Sequence, residues 1–453
     1  MNIGELAAAA RGRLLQGDPA WPIARATVDS RLVQPGDLFV AMQGERTDGH
    51  LFIDRAIAAG AGGVLLREPR PLPPGLPAVA VDDVRAALLA AARAMAQGYQ
   101  GIVGAVTGSV GKTTTKELWA AALGPLGPVF RNPGNLNSDI GMPLALFGLG
   151  PEHRAAVFEL GMRGRGEIAR LAAIVRPQVG IITVIGHSHL EVLGSVEAIA
   201  RAKAELLAAL PAGGTAVLNL DDPWFPFLRL SAPHRILTVG RGADADVRIL
   251  GSETVGMDTS RLHLACGGAS VTCALPLPGD GAALDGALAV AGALAAGVGL
   301  AAAAGALSRA EPPHGRLRTL VAHGMTAIDD TYNAAPQSLR VALGLLRSLP
   351  CAGRRIAVLG DMRELGPEAP ALHGAMGRDA AHSADIVLAV GEYAPVVTAA
   401  ARAAGAQALT LASVEEVAPW LWREGRPGDV VLFKASRALG LEAALERWRE
   451  VAP

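Results

Sequence analysis

Lysine is nearly absent from this chain of 453 residues. It occurs at Lys112, Lys116, Lys203 and Lys434, and the other 37 of the 41 basic residues are arginine. A lysine that survives such a bias belongs where a planar guanidinium fails, as a point charge on phosphate or as an amine that can lose its proton and react. Asparagine is also scarce, and three of its six occurrences fall within "RNPGNLNSDIG". Cysteine appears only at Cys266, Cys273 and Cys351, with no metal-ligand spacing and no disulfide framework, so buried thiols in a reducing cytoplasm are expected. The formal net charge of -1 gives no general reason to seek nucleic acid or an anionic membrane. The N-terminal "MNIGELAAAARGRLL" is broken by Glu5, Arg11 and Arg13, which argues against a secretory signal. Gly286 to Leu307 carries no charge, but it is mostly Ala and Gly, and a buried helix pair is expected there rather than a membrane span.

What is present is an alternation of short apolar runs with helical patterns. Residues 1–98 hold "DLFVAM", "GGVLL" and a Pro-rich break at "REPRPLPPGLP", the pattern of a small α/β domain. Residues 99–310 contain "IVGAVTG", "AAVFELG", "VGIITVIGHSH", "TAVLNLDD" and "RILTVG", with helices such as "SVEAIARAKAELLAAL" between them. Such alternation predicts a parallel sheet covered on both faces, with ligands outside the carboxyl ends of the strands, where Thr107, Glu159, His189 and Asp221 fall. Residues 311–453 repeat the pattern with "TAIDDTYN", "RRIAVLGDM", "ADIVLAVG" and "DVVLFKASR", consistent with a Rossmann-like lobe. The fold class is therefore α/β in three domains, with "EPPHGRL" at 311–317 as the hinge.

The stretch "VTGSVGKTTTKELW" joins a strand pattern to a helix pattern. The strict phosphate-loop motif requires glycine where Val106 stands, so the match is partial, yet the mechanics are intact. Gly108 and Gly111 let backbone N–H groups turn toward phosphate oxygens, Lys112 reaches the terminal phosphates, and Thr113 is placed to ligate Mg²⁺.

Nine segments in order, among them "VDSRLVQPGDLFVAMQGERTDGHLFI", "TGSVGKTTTKE", "NPGNLNSDIGMPLAL", "ELGMRGRGEI", "HLEVLGSVEAIARAKAE", "DDTYNAAPQSL" and "VLGDMRELG", make the chain resemble the Mur ligases of bacterial peptidoglycan synthesis. The branch it is most similar to adds D-alanyl-D-alanine to UDP-N-acetylmuramoyl-tripeptide. The resemblance implies a cytoplasmic, monomeric, ATP-dependent amide ligase: ATP phosphorylates the peptide's terminal carboxylate, and an amine then displaces phosphate. ATP would be held by Thr107, Gly108, Ser109, Gly111, Lys112, Thr113 and Thr114 with Arg316 and Asp330. Thr113, Glu159 and His189 would hold Mg²⁺, joined by Lys203 as a carbamate, since an ammonium repels a metal. Lys112, Lys203, His189 and Asn137 would serve catalysis. Ser30, Arg31, Thr47, Asp48, Gly49 and His50 match the segment that holds the UDP-sugar end. Asn135, Asn137 and Asp139 would line the acyl-acceptor path, while Tyr332, Asn333, Lys434, Ser436 and Arg437 would meet the amine substrate.

The chain departs from its relatives at "GAALD", Gly281 to Asp285, where they carry a His-Asn-x-x-Asn run that touches adenine. Discrimination between ATP and GTP is therefore expected to weaken. Ser138, Ala335 and Ala435 are lesser departures. Two other readings stand beside the first. A ligase adding a single amino acid to the muramoyl dipeptide would carry an Asp-Asn-Pro-Arg motif, absent here. A non-catalytic nucleotide-binding relative would fail an ATPase assay dependent on both substrates.

Overall fold

The computed structural model describes residues 1–44, 47–232 and 235–450. Glu45 and Arg46, which belong to one of the quoted matching segments, lie outside the described residues. Among the described residues the strands form three sheets, of five, nine and six strands, and the architecture is mixed α/β. By internal contacts the chain divides into two units. The first comprises Met1–Ala105, Leu126–Met162 and Gly166–Gln178, and the second Val106–Pro125, Arg163–Arg165 and Val179–Pro453.

In the first unit a sheet runs in the order Arg13–Gln16, Ala78–Ala80, Gly63–Leu66, Leu38–Val40, Ala26–Thr27, parallel except for its first strand. Alternate residues of its strands enter two different cores: Leu38, Val40 and Leu65 pack in one, Phe39, Val64 and Leu66 in the other. Burial on both faces is why these strands read as unbroken apolar runs. The helix Ile3–Ala9 begins where Asn2 and Glu5 cap each other's backbone N–H groups at 2.7 and 2.9 Å. Asp83 caps the helix Val84–Gly98 by accepting from Arg85 N and Ala86 N. The strands Val129–Arg131 and Ala155–Glu159 pair in parallel, and the second delivers Glu159 at its carboxyl end.

In the second unit Val179–Ile182, Thr215–Asn219 and Arg235–Gly240 are parallel neighbours, as the apolar runs predict. The sheet then departs from the all-parallel expectation. Val247–Val255 joins in parallel, but Thr259–Cys266 and Ala269–Leu275 follow as an antiparallel meander. Gly267 and Gly268, at φ +58 and +83, supply the two left-handed residues that a tight hairpin needs. These strands alternate buried and exposed residues, so no continuous apolar run announces them.

The last sheet runs Arg318–Ala322, Met325–Asp330, Val430–Lys434, Arg355–Gly360, Ile386–Val390, Gln407–Leu411, parallel after its antiparallel first strand. Ala357 and Leu359 face one core, Ile356 and Val358 the other, so helices cover both sides. The uncharged stretch from Gly286 lies in the buried helix Asp280–Ala295 and in the partly exposed helix Leu300–Ala306. No helix among the described residues is long and apolar enough to cross a membrane. Cys266, Cys273 and Cys351 are free thiols.

Candidate functional site

The strand Ile102–Thr107 ends at the loop Gly108 to Gly111, and the helix Lys112–Leu123 starts from it. Gly108 sits at φ +152 and Gly111, the helix N-cap, at φ +88. A Cβ at Gly108 would lie 1.9 Å from Thr183 Oγ1, and one at Gly111 2.3 Å from Asp285 Oδ1. Only glycine fits either place. With glycine at the N-cap no side chain caps the helix start, so its first N–H groups are offered to an anion. The loop is braced from beneath: Thr183 Oγ1 donates to Val110 O at 2.5 Å, and Ser109 Oγ accepts from Gly186 N at 2.9 Å and from Ser188 Oγ at 2.9 Å. Thr107 is buried and its carbonyl accepts from Thr183 N at 3.0 Å.

Two lysines meet at this loop. Lys112 Nζ donates to Gly108 O at 2.9 Å, and Lys203 Nζ donates to the same oxygen at 2.8 Å. Lys203 reaches it from the helix Val196–Ala208, which Ser195 caps, and its side chain is fully buried. Thr113 is half-buried on the first turn of the loop helix, and Thr115, two residues on, donates to Asp285 Oδ1 at 3.1 Å.

His189 stands at the N-cap of the short helix Leu190–Leu193 with φ +59. Its Nδ1 comes within 2.5 Å of Glu364 Oε2. Glu364 is itself left-handed at φ +63, and His189 holds its carboxyl below the usual range. Two non-glycine residues in this backbone region, facing each other, mark stored strain of the kind found at working sites. Glu364 was not among the residues expected from the sequence, although "VLGDMRELG" contains it. Gln337 Nε2 donates to His187 Nδ1 at 2.7 Å, while Gln337 Oε1 accepts from His187 N at 3.2 Å.

Lys434 is buried in an ion pair with Asp330 and donates to Asn333 O at 3.0 Å. Burial pushes its ammonium below the usual lysine range, against the pull of Asp330. The guanidinium groups of Arg316 and Arg437 lie 4.3 and 5.1 Å from the centre of the Tyr332 ring, which gathers three expected residues into one cluster. Ser436 is turned to the backbone, where its Oγ accepts from Arg363 N at 2.9 Å. Val110, Gly111 and Thr114 of the loop line a pocket of about 90 Å³ together with Asp285, Arg316 and Asp330.

The first unit holds a separate pocket of about 570 Å³, lined by Ser30, Arg31, Thr47 and Gly49 with Met42 and Phe52 among its other walls. Asp48 and His50, expected with them, lock the adjoining turn instead. Asp48 Oδ1 accepts from His50 N at 3.0 Å and from His50 Nδ1 at 2.6 Å, while His50 Nε2 accepts from Arg67 N at 2.9 Å. Those bonds hold the Asp48 carboxyl below its ordinary value. Asp29 is pulled down to about 2 by Arg31.

Also in the first unit, Asn137 Nδ2 donates to Glu159 Oε1 at 2.7 Å, and Asn132 Oδ1 accepts from Glu159 N at 2.8 Å. Glu159 Oε2 is buried with no hydrogen bond, the one oxygen of that carboxylate left for a hard cation. Asp139 pairs with Arg85, and Asn135 is exposed. Of the four expected metal ligands Glu159 is in the first unit, while Thr113, His189 and Lys203 are in the second. Among the described residues no three His, Cys, Asp or Glu side chains cluster as a metal site by themselves.

Three family models match the chain: the Mur ligase family catalytic domain over residues 22–97, the Mur ligase middle domain over 106–294, and the Mur ligase glutamate ligase domain over 315–437. The UDP-N-acetylmuramoyl-tripeptide–D-alanyl-D-alanine ligase of Escherichia coli K12 is 36% identical over 378 residues, 83% of this chain and 82% of that protein. Its counterpart in Synechocystis is 36% identical over 423 residues, 92% of this chain and 90% of the other. A crystal structure of MurF from Acinetobacter baumannii superimposes with a TM-score of 0.86 at 32% identity, covering 99% of both chains. The Thermotoga maritima MurF ligase, solved with ADP, gives 0.79 at 28% identity over 94% of this chain and 97% of that one.

Proposed function

The chain belongs to the Mur ligase family, and we infer its reaction from that membership and from its sites. It is an ATP-dependent amide ligase of peptidoglycan precursor synthesis that joins D-alanyl-D-alanine to UDP-N-acetylmuramoyl-tripeptide. The terminal carboxylate oxygen of the tripeptide attacks the γ-phosphorus of ATP, releasing ADP. The dipeptide amine then attacks the acyl carbon, its proton is lost, and the C–O bond breaks to release phosphate. The observation that carries this reading is the glycine-bounded loop, with an uncapped helix start and two lysines at one carbonyl, opening on a pocket shared with Arg316 and Asp330.

The residues divide the work as follows. The loop N–H groups and Lys112 hold the phosphates, with Thr107, Ser109 and Thr114 fixing the loop around them. By the family resemblance Thr113, Glu159 and His189 would hold Mg²⁺, and within the first unit Glu159 keeps a buried oxygen without a hydrogen bond, as a ligand of a hard cation would. The ion supplies positive charge where two anions must meet. Lys203 completes that set as a carbamate, its neutral amine adding to CO₂ with loss of a proton, while its remaining N–H can keep the bond to Gly108 O. The pocket at Ser30, Arg31, Thr47 and Gly49 takes the UDP-sugar end, held in shape by Asp48 and His50. Asn137 orients Glu159 beside Asn135 and Asp139 on the acyl-acceptor path. Tyr332, Asn333, Lys434, Ser436 and Arg437 receive the dipeptide. Residues 1–98, 99–310 and 311–453 form the UDP-sugar, ATP and amine-substrate domains of a cytoplasmic monomer. The test is incubation with ATP, D-alanyl-D-alanine and each UDP-muramoyl tripeptide, lysine or diaminopimelate at the third position. Pentapeptide by mass with equimolar ADP is the expected outcome, and ADP release independent of both substrates would refute it.

A further inference from the structure

The hydroxyl of Ser109 in the phosphate loop has no bonding capacity left. It accepts from Gly186 N at 2.9 Å and from the Ser188 hydroxyl at 2.9 Å, and it donates to Gly186 O at 3.1 Å, which fills its one donor and two acceptor positions. Ser109 N adds a bond to Val184 O at 2.7 Å. The turn that holds the loop so closely, residues 184–188, follows the strand Val179–Ile182, and Asp222 Oδ2 steadies it by accepting from Ile185 N at 2.8 Å. Whatever shifts this turn shifts Ser109.

The same turn is gripped by Gln337. His187 N can only donate, so the amide oxygen of Gln337 faces it at 3.2 Å, and the amide nitrogen is left to donate to His187 Nδ1 at 2.7 Å. One side chain thereby fixes both the backbone and the ring of His187. The approach is close: a Cβ on Gly186 would lie 2.4 Å from the amide carbon of Gln337, so alanine there would push the amide aside. Gln337 stands on the first turn of the helix Pro336–Ser348, four residues after Asn333, in the segment that carries Asp330 and Tyr332. Just beyond the turn, Glu191 N donates to Glu364 O at 3.0 Å.

We propose that Gln337 is a positioning residue for phosphoryl transfer: by holding His187 it sets the turn that holds Ser109, so the phosphate loop takes its working shape when the segment bearing Asp330, Tyr332 and Asn333 is seated against it. This rests on the nucleotide reading of the loop and on the part given to that segment in receiving the amine. The coupling has a chemical use. An acyl phosphate made before the amine site is assembled would be lost to water, and a loop shaped by the seated segment makes the two events coincide.

Two measurements on the full chain test this. Hydrogen exchange read by mass spectrometry follows the coupling without turnover. Gln337→Met, which keeps the length and loses both bonds, should speed exchange severalfold in residues 184–191 and, beyond them, in the phosphate loop 108–112. In the ligase assay the same variant should lower kcat by about tenfold, the scale of losing two ordinary hydrogen bonds. KM for the UDP-muramoyl tripeptide should stay as in the parent, since the pocket assigned to it lies in the first unit. His187→Ala should lose as much, and the double variant no more than either alone. Parental exchange at 108–112 in Gln337→Met, or additive losses in the double variant, overturns the assignment. Coupled exchange in a parent that makes no pentapeptide would support the link from Gln337 to the loop and overturn the ligase reading instead.

Discussion

Lys112 and Lys203 donate to one and the same acceptor, the carbonyl oxygen of Gly108, at 2.9 and 2.8 Å. Two of the chain's four lysines thus converge on one loop, in a chain whose other basic residues are all arginine. The first should fail as arginine because the wider guanidinium cannot take a point-charge position between phosphates. Lys112→Arg should lower kcat/KM by about a hundredfold or more, the scale of removing one group that stabilises the transition state. Near-parental turnover would remove Lys112 from the phosphate site.

Lys203 is tested by its capacity to become an anion. Lys203→Ala should lose nearly all activity, and short carboxylic acids in the assay should restore part of it by placing an oxygen anion in the vacated space. Lys203→Arg should be as inactive and not rescued, because its side chain fills the cavity with fixed charge. Full turnover by Lys203→Arg would end the carbamate reading.

The pair Lys434–Asp330 predicts asymmetry in stability. Asp330→Ala strands a buried ammonium and should cost about 3–5 kcal/mol. Lys434→Met combined with Asp330→Leu should cost much less than the two single losses together. Additive losses in denaturant titrations would show that the groups do not depend on each other.

Two buried groups tie stability to pH in opposite directions. His373 Nε2 accepts from Met362 N at 2.9 Å and its Nδ1 donates to Ala369 O at 2.7 Å, a neutral ring whose pKa burial depresses. Its contribution is full above the unfolded value of about 6.5 and declines as pH falls below it. Asp285, raised to about 8, contributes fully below the unfolded value of about 4 and loses that contribution as pH rises through 8. Asp285→Asn should flatten the fall in stability between about pH 4 and pH 8, and His373→Gln the fall below about pH 6.5. Profiles that keep their shape would assign the pH dependence elsewhere.

Much of this was legible in the sequence because the chemistry is local. Gly108, Gly111 and Lys112 lie within five residues, and a turn that brings backbone N–H groups to phosphate dictates those residue types wherever it occurs. Four strands of the last sheet were legible as well, Met325–Asp330, Arg355–Gly360, Ile386–Val390 and Val430–Lys434, since burial on both faces leaves apolar runs, whereas the partly exposed edge strands Arg318–Ala322 and Gln407–Leu411 were not. The meander from Val247 to Leu275 was not, because one-sided burial halves the apolar signal. Pairs set by tertiary packing were also hidden. Glu364 meets His189 across 175 positions, and Asp285 meets Thr115 across 170. Asp48 and His50 were found as residues but not as a clamp on their own turn, since the bond that decides it comes from Arg67 N.

The central claim is that a carboxylate takes the phosphate, and isotope transfer tests it most directly. With the terminal carboxylate of the UDP-muramoyl tripeptide labelled with ¹⁸O, one label should appear in the inorganic phosphate for each amide formed, because the oxygen that attacked phosphorus leaves with it. Phosphate free of label alongside pentapeptide would contradict the acyl-phosphate route.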